Sequence, residues 1–162
     1  TGGTSPDHFP KSGHPPATYE VTGPEVGGDT GGRMPPFVSS MRTTGTIMGV
    51  SRYLTEKNAS IVIIGCPPDE GSQIPGIRKW PEAYMPKIFD RTRVDRIENV
   101  SQADAEATAR RLAREEGIFV GVSSGGACAV ALRIAEEVRN ATIVFVACDR
   151  GDRYLSSGVF PA

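Results

Sequence analysis

The chain has few of the residues that build metal sites and disulfide frameworks. Among its 162 residues are only 2 histidines and 3 cysteines. The cysteines are widely spaced and form no Cys-x-x-Cys pair, so the sequence argues against a zinc centre or a disulfide scaffold. Cys66 and Cys128 lie among apolar neighbours and are predicted to be small buried residues, whereas Cys148 ends a strand-like run and precedes a charged loop.

Long apolar runs and an excess of one charge are also absent. The 18 Lys+Arg residues balance 19 Asp+Glu residues, so electrostatics gives no reason to expect nucleic acid or an anionic membrane as a partner. No apolar stretch approaches the roughly 20 residues that span a bilayer, and the first residues do not have the pattern of a signal peptide. We therefore expect a soluble, cytoplasmic protein that binds a small molecule.

Glycine and proline divide the chain into two parts. Residues 1–35 are predicted to be irregular, with a short helix near 24–30. Residues 36–162 alternate between strand and helix patterns and are predicted to form one domain. Buried, continuously apolar strands alternating with helices are typical of a twisted, mostly parallel α/β sheet with helices on both faces. The predicted strands are 37–40, 60–65, 94–100, 118–120 and 142–147, and the predicted helices are 47–57, 101–116 and 123–139.

Two loops rich in glycine, serine and threonine each follow an apolar run and open a helix. They are residues 41–46, with the sequence MRTTGT, and residues 121–126, with the sequence GVSSGG. Backbone N–H groups at a helix start, together with the helix dipole, favour an anion. Ligands of parallel sheets bind beyond the carboxyl ends of the strands. We therefore predict that these loops, and a third at 148–153, meet around one phosphate-carrying ligand.

Several common ligand and enzyme classes fit this pattern poorly. The first loop lacks the lysine of a P-loop, which argues against a nucleoside triphosphate, and no Gly-x-Gly-x-x-Gly motif indicates a dinucleotide. Residues 121–125 do match the Gly-x-Ser-x-Gly motif of hydrolases. That chemistry needs a histidine downstream of the serine, and the histidines of this chain, His8 and His14, lie upstream.

Four ordered motifs resemble a known enzyme family. In order and spacing, they are similar to the C-terminal half of the cysteine synthases of the B type, which belong to the fold-type II pyridoxal-phosphate family. The resemblance runs from about residue 7 to residue 160, and the segment around Arg78 and Trp80 is similar to the B type rather than the A type. The motifs are residues 39–46, 74–81, 121–127 and 148–156.

The resemblance implies a cofactor site for pyridoxal 5'-phosphate. Ser123 would hydrogen-bond the pyridine nitrogen, and a serine hydroxyl, unlike an aspartate, does not force that nitrogen to stay protonated. The ring is then a weaker electron sink, which favours β-elimination over other amino-acid chemistry. The residues that would hold the cofactor phosphate are Thr43, Thr44, Gly45 and Thr46.

The resemblance also implies a substrate side to the site. The family makes L-cysteine from O-acetylserine and a sulfur donor by β-replacement, and its members are homodimers. Arg78 would lie near the active-site entrance, where it would attract an anionic sulfur donor or a phosphorylated substrate, and Trp80 would pack nearby. Whether the activated serine is O-acetylserine, and which sulfur donor is used, is not fixed by these residues.

Two departures from the family pattern bear on activity. Arg42 replaces a glycine at the start of the phosphate loop, where its bulk would oppose close approach of the phosphate and its charge would favour it. The Schiff-base lysine and the substrate-carboxylate loop of the family lie upstream of every matched motif. The lysines present lie in unsuitable contexts, so no catalytic residue is assigned and the chain alone is predicted to be inactive. They are Lys11, Lys57, Lys79 and Lys87.

Two alternative functions stay open at this point. The chain would retain the phosphate loop but not the chemistry if it were a noncatalytic module that binds pyridoxal phosphate or another metabolite. It would use the same fold for a sister reaction if it were another β-eliminating fold-type II enzyme, such as one for cystathionine synthesis or serine/threonine dehydration.

Overall fold

A parallel β-sheet organises the protein. The computed structural model describes residues 14–31 and 36–160, and four strands within these ranges form one sheet in the order β3-β2-β1-β4. Every neighbouring pair is parallel. The predicted parallel α/β sheet is therefore confirmed. The strands are β1 (Phe37–Ser40), β2 (Ile63–Cys66), β3 (Arg96–Ile97) and β4 (Val144–Phe145).

Three long helices cover the sheet. They are α3 (Gly45–Lys57), α4 (Gln102–Glu115) and α5 (Val122–Glu137). Helix α4 begins with a side-chain cap, because the Ser101 hydroxyl oxygen accepts a hydrogen bond from the Asp104 backbone N–H at 3.0 Å. The shorter helical elements are α1 (His14–Ala17), a π-helical turn (Thr18–Thr22), α2 (Gly23–Asp29) and 3-10 turns at Glu82–Tyr84, Arg91–Arg93 and Gly151–Ser157.

Alternate residues of the central strands face opposite helices. Phe37 and Ile63 pack with Leu54 of α3 in one apolar cluster. Their neighbours along the strands, Val38 and Ile64, pack in a second cluster with apolar residues of α4 and α5. All four strand side chains are fully buried. The period of two along a strand thus places helices on both faces of the sheet, as the sequence predicted.

The segment before the sheet differs from its prediction. The predicted short helix lies at Gly23–Asp29, but residues 14–22, which were expected to be irregular, are helical as well. This segment gains its order from α3, because the Tyr19 ring packs edge-on against the Tyr53 ring, with centroids 5.8 Å apart. Its sequence alone shows no apolar surface large enough to order it. The remainder of the predicted irregular segment, residues 1–13 and 32–35, lies outside the described residues.

The predicted strands 94–100 and 142–147 are shorter in the structure, and 118–120 is not a strand. Val120 makes a single antiparallel bridge with Arg150 instead. The local apolar run at 118–120 was a poor guide because Ile118 and Phe119 are exposed rather than buried in a sheet. The prediction of a strand there was wrong.

Gly125 sets the closest approach of α4 and α5. A Cβ atom at this position would lie 2.2 Å from the Ala105 carbonyl oxygen and 2.7 Å from the Ala109 nitrogen, both backbone atoms that cannot rotate away. The neighbouring Gly126 is more tolerant, because its nearest contact would be the flexible end of the Ile77 side chain at 3.2 Å.

We expect Gly125→Ala to lower the free energy of unfolding by about 2 kcal/mol, since overpacking against backbone must separate the two helices. The matched control is Gly126→Ala, whose effect should stay within about 1 kcal/mol because the gain in helix propensity offsets a mild contact. Urea unfolding followed by circular dichroism measures both values. Equal effects of the two substitutions would contradict this account of the α4 and α5 contact.

Candidate cofactor site

The first predicted loop leaves β1 and opens α3 at the carboxyl edge of the sheet. Thr44 is buried and occupies the left-handed region with φ 64°, which turns the chain sharply into the helix. Its side chain donates to the Thr43 carbonyl oxygen at 2.7 Å and does not cap the helix. The N–H groups of Gly45, Thr46 and Ile47 therefore have no acceptor within the helix or on the side chain of the capping residue, whereas the Met48 N–H donates to the Thr44 carbonyl oxygen at 3.0 Å. Thr43 and Thr46 are half-buried beside them.

The second loop begins α5 at the same edge. Ser123 is only 2% exposed. The Ser40 hydroxyl, at the end of β1, donates to the Ser123 carbonyl oxygen at 2.8 Å. This bond joins the last residue of the strand that leads into the first loop to the first turn of α5. The two loops that the sequence predicted to meet are thus neighbours in space.

A loop between β2 and β3 closes over both. The backbone N–H of Arg78 donates to the Met41 carbonyl oxygen at 2.8 Å, and the Trp80 indole donates to the Arg42 carbonyl oxygen. The Arg78 guanidinium lies 4.9 Å from the centroid of the Trp80 ring. Two hydrogen bonds therefore fix the predicted substrate residues against the loop 41–46, and the cation–π contact holds the two side chains to each other.

A cavity of about 880 Å³ lies along this loop, and Arg78, Lys79 and Trp80 are among the residues that line it. Arg78 and Lys79 are exposed. Two carboxylates, Asp69 and Glu70, line the same cavity, so an anionic ligand would have to be bound locally, beside Arg78 and Lys79, rather than by a net positive charge of the cavity. The rest of the lining comes from residues 68–75, 77 and 81.

The third loop follows β4 and contacts the start of α5. The Cys148 backbone N–H donates to the Ser124 hydroxyl oxygen at 3.0 Å, and the Gly121 N–H donates to the Asp149 carbonyl oxygen at 3.0 Å. The Tyr154 hydroxyl donates to the Asp149 carboxylate at 2.6 Å. Sequence analysis placed this loop at the site but did not single out Asp149 or Tyr154. Both belong to the motif 148–156 and to a charged, aromatic stretch directly after a strand, and neither signal assigns a role to the individual residues.

The structure shows where Arg42 and three of the four lysines lie. The Arg42 side chain is exposed, and its carbonyl oxygen binds the Trp80 indole, so the loop accommodates arginine without loss of the helix start. Lys57 is at the far end of α3, with its amine 5.5 Å from the centroid of the Tyr53 ring. Lys79 lines the entrance cavity and Lys87 is exposed. Lys11 lies outside the described residues.

Comparison with known proteins identifies the family. A sequence profile described as "Pyridoxal-phosphate dependent enzyme" matches residues 2–149. The chain belongs to the pyridoxal-phosphate-dependent enzyme family. Its dependence on pyridoxal phosphate, expected from the motifs, is thereby confirmed.

Relatives within this family place the chain more closely. Cysteine synthase B of Pseudomonas aeruginosa is 60% identical over 154 residues, which cover 95% of this chain and 52% of the relative. Cysteine synthase A of Escherichia coli K12 is 34% identical over 169 residues, covering 94% and 52%. A solved cysteine synthase from Entamoeba histolytica superimposes with a TM-score of 0.88 at 32% identity, covering 95% of this chain and 48% of that one. The chain spans about half the length of these relatives and is more similar to the B type than to the A type.

The described residues fit a phosphorylated pyridine cofactor. The uncapped start of α3 offers N–H groups to an anion, and the buried Ser123 side chain lies at the same sheet edge. Gly76, with φ +89°, leaves room beside that hydroxyl, since a Cβ atom there would lie 2.8 Å from the Ser123 oxygen. An anion site and a hydroxyl in one cradle are what such a cofactor requires.

Residues 14–31 and 36–160 contain neither a group of metal ligands nor a membrane-spanning helix. No three His, Cys, Asp or Glu side chains in these ranges are grouped to hold a metal ion. In the same ranges, no helix has the length and apolarity to cross a membrane.

The Cys148 thiol provides a local reporter of this site. Packing around the sulfur, and then the negative charge of Asp149, raise the pKa of Cys148, while a hydrogen bond from Ser123 acts in the opposite direction. Cys148 is exposed, whereas Cys66 and Cys128 are buried, and burial raises the pKa of Cys66 to about 12.

We expect iodoacetamide to label Cys148 alone in the folded protein. The rate should be slow at neutral pH and rise only above the ordinary thiol pKa, because the thiolate is the nucleophile and its formation is shifted upward. Mass spectrometry of digests over a pH series measures this. Labelling that is already fast at neutral pH, or that reaches Cys66 and Cys128 equally, would contradict the arrangement.

Proposed function

We propose that this chain supplies the cofactor-binding part of a cysteine synthase, which makes L-cysteine from O-acetylserine and a sulfur donor by β-replacement. The observation that carries the proposal is the hydrogen bond from Ser40 to Ser123, which joins the phosphate loop to the serine. The 60% identity to cysteine synthase B supports this reaction over the sister reactions. A cytoplasmic location, expected from the sequence pattern, and a homodimer, which the resemblance implies, stay predictions.

Each part of the site has a role in this proposal. The N–H groups at the start of α3, with the hydroxyls of Thr43 and Thr46 beside Gly45, hold the phosphate by hydrogen bonds that the helix dipole strengthens, and Thr44 shapes the turn because its own hydroxyl donates to the Thr43 carbonyl oxygen. When bound, pyridoxal phosphate supplies the electron sink that lets bonds at the α-carbon of an amino acid break. Ser123 binds the ring nitrogen without adding a full charge, which keeps that sink moderate and favours elimination.

We also propose that the chain is inactive by itself. Chemistry on this cofactor needs an amine to bind it covalently and a base for the α-proton. Lys57 is directed to the Tyr53 ring at the opposite end of α3, and Lys79 is on the entrance loop. Neither lies in the context that the family's lysine occupies.

Binding of the cofactor tests the site. We expect Ser123→Ala to weaken the affinity for pyridoxal phosphate about tenfold, since loss of a hydrogen bond to a buried group costs about 1 to 2 kcal/mol. Thr46→Val should weaken it similarly and also weaken competition by inorganic phosphate. The chain has 1 tryptophan, Trp80, and quenching of its fluorescence measures the affinity.

Thr55→Val is the matched control, because Thr55 is on the same helix and its hydroxyl donates to the Ser51 carbonyl oxygen 2.8 Å away rather than toward the site. This variant should bind like the unmodified chain. Normal binding by Ser123→Ala and Thr46→Val as well would place the site elsewhere. Absence of pyridoxal phosphate binding by the unmodified chain would contradict the proposed site.

A chimera tests the reaction. The chain alone should form no cysteine from O-acetylserine and sulfide. Fused to the half of the Pseudomonas aeruginosa cysteine synthase B that it does not match, it should form cysteine. Cofactor binding with no turnover in the chimera would favour the noncatalytic module, and release of keto acid from serine or threonine would favour a dehydratase.

In that chimera, we expect Arg78→Ala to raise the KM for O-phosphoserine about tenfold, since a charge-assisted hydrogen bond contributes about 1.5 kcal/mol or more. The KM for O-acetylserine, which lacks the phosphate charge, should change much less. Lys87→Ala removes an exposed cation from outside the cavity lining and serves as the control. A parallel rise for both substrates would assign Arg78 a structural role only.

A further inference from the structure

The loop after β4 is closely fitted to the turn that starts α5. Besides the bond from the Gly121 N–H to the Asp149 carbonyl oxygen, the Gly151 N–H donates to the Phe119 carbonyl oxygen at 3.1 Å. A Cβ atom at Gly121 would lie 2.0 Å from one Asp149 carboxylate oxygen, Oδ1. The Asp149 carboxylate therefore rests directly on the backbone of the α5 capping residue.

Tyr154 fixes the orientation of this carboxylate. Its hydroxyl donates to the other oxygen, Oδ2, at 2.6 Å. Burial, and then the hydrogen bond to Asp149, raise the pKa of Tyr154 to about 12. The tyrosine thus stays protonated and keeps donating throughout the range in which enzymes work.

The inward oxygen of Asp149 is exceptional in the described part of the chain. In residues 14–31 and 36–160, Oδ1 is the one buried side-chain nitrogen or oxygen with no hydrogen-bond partner. A buried unpaired acceptor is costly, so it needs a compensating interaction or a purpose. The start of α5 is adjacent, and its capping residue, Gly121, provides no side-chain cap. A carboxylate at that place interacts favourably with the positive end of the helix dipole.

Ser123 is the second residue of α5, so anything that fixes the first turn fixes the serine. The same loop holds the next residue as well, through the bond from the Cys148 N–H to the Ser124 hydroxyl. We propose that Asp149, oriented by Tyr154, is a positioning residue that holds the start of α5 so that the Ser123 hydroxyl faces the pyridine ring of the cofactor. This inference rests on the proposed function, which places that ring at Ser123.

The inference predicts an effect on the ring end of the ligand and none on the phosphate end. Asp149→Asn removes the charge and turns a donor toward the helix start, and Tyr154→Phe removes only the bond that orients the carboxylate. Both should weaken binding of pyridoxal, which lacks the phosphate, about fivefold, an effect of the size expected for a helix-dipole contact of about 1 kcal/mol. Binding of inorganic phosphate should be unchanged.

A second readout is independent of ligand. Amide hydrogen exchange of residues 122–124 should be several-fold faster in both variants, while exchange at the start of α3 is unchanged. Asp152→Asn is the matched control, because Asp152 is on the same turn but pairs with Arg150 at the surface, with half its side chain exposed. This control should match the unmodified chain in both measurements.

The outcomes separate the two proposals. The positioning role is overturned if Asp149→Asn and Tyr154→Phe bind pyridoxal normally while Ser123→Ala does not. It is also overturned if both variants weaken pyridoxal and inorganic phosphate equally, which is the mark of general destabilisation. The proposed function itself fails if Ser123→Ala leaves pyridoxal binding intact, whatever the Asp149 variants do. If Asp149→Asn does not fold, the same measurements can be made on Tyr154→Phe alone, because this variant removes one hydroxyl at a half-buried position.

Discussion

The hydrogen bond from Ser40 to Ser123 is the contact on which the site depends. It connects residues 83 positions apart in sequence, and it does so at the carboxyl end of the central strand, where helices from the two faces of the sheet begin. Helix α3 packs on the face that carries Phe37, and α5 packs on the face that carries Val38. Only at this edge can the first turns of both helices approach one ligand. A shift of either helix along the sheet would separate the phosphate loop from the serine.

Missing side chains make this convergence possible. Gly76 leaves space beside the Ser123 hydroxyl, Gly121 admits the Asp149 carboxylate, and Gly125 lets α5 lie against the backbone of α4. At each of these positions even a methyl group would meet another atom at less than 3 Å. Helix α5 therefore depends on glycine at two places: Gly125 lets it pack against α4, and Gly121, at its start, lets it pack against the loop after β4. In α5, the residues that determine how the helix packs therefore also determine where the Ser123 side chain lies.

The sequence predicted the elements that rest on local patterns, and missed those that rest on distant partners. Strand 37–40 was predicted with its observed bounds, because a short apolar run after consecutive prolines has few alternatives. The helical segment 14–22 was missed because its order comes from contact with Tyr53. The strand at 118–120 was wrongly predicted because an apolar run does not reveal whether a neighbouring strand is there to pair with it.

The candidate site also contains parts that local sequence predicts and parts that depend on distant contacts. Glycine and threonine at a helix start after a strand favour a phosphate site, so the loop 41–46 could be predicted as a candidate from its sequence. The Asp149 and Tyr154 pair could not, because its significance lies in the contact with Gly121, 28 positions earlier by residue number. A charged side chain after a strand is common at protein surfaces. It is distinguished here only by having one oxygen buried against a helix start.

Charge is distributed so that the two helix starts are not equivalent. Both α3 and α5 begin without a side-chain cap, and each would by itself attract an anion through its dipole. At α5, the carboxylate of Asp149 already supplies the negative charge. At α3, the first turn has no acidic residue, and the nearby loop carries Arg78 and Lys79 together with Asp69 and Glu70. In the proposed function, Asp149 would oppose a phosphate at α5 but not at α3, which would leave the serine of α5 for an uncharged part of the ligand. On the proposed function, the carboxylate would do more than hold a helix in place, since it would also favour one orientation of an elongated ligand between the two helices.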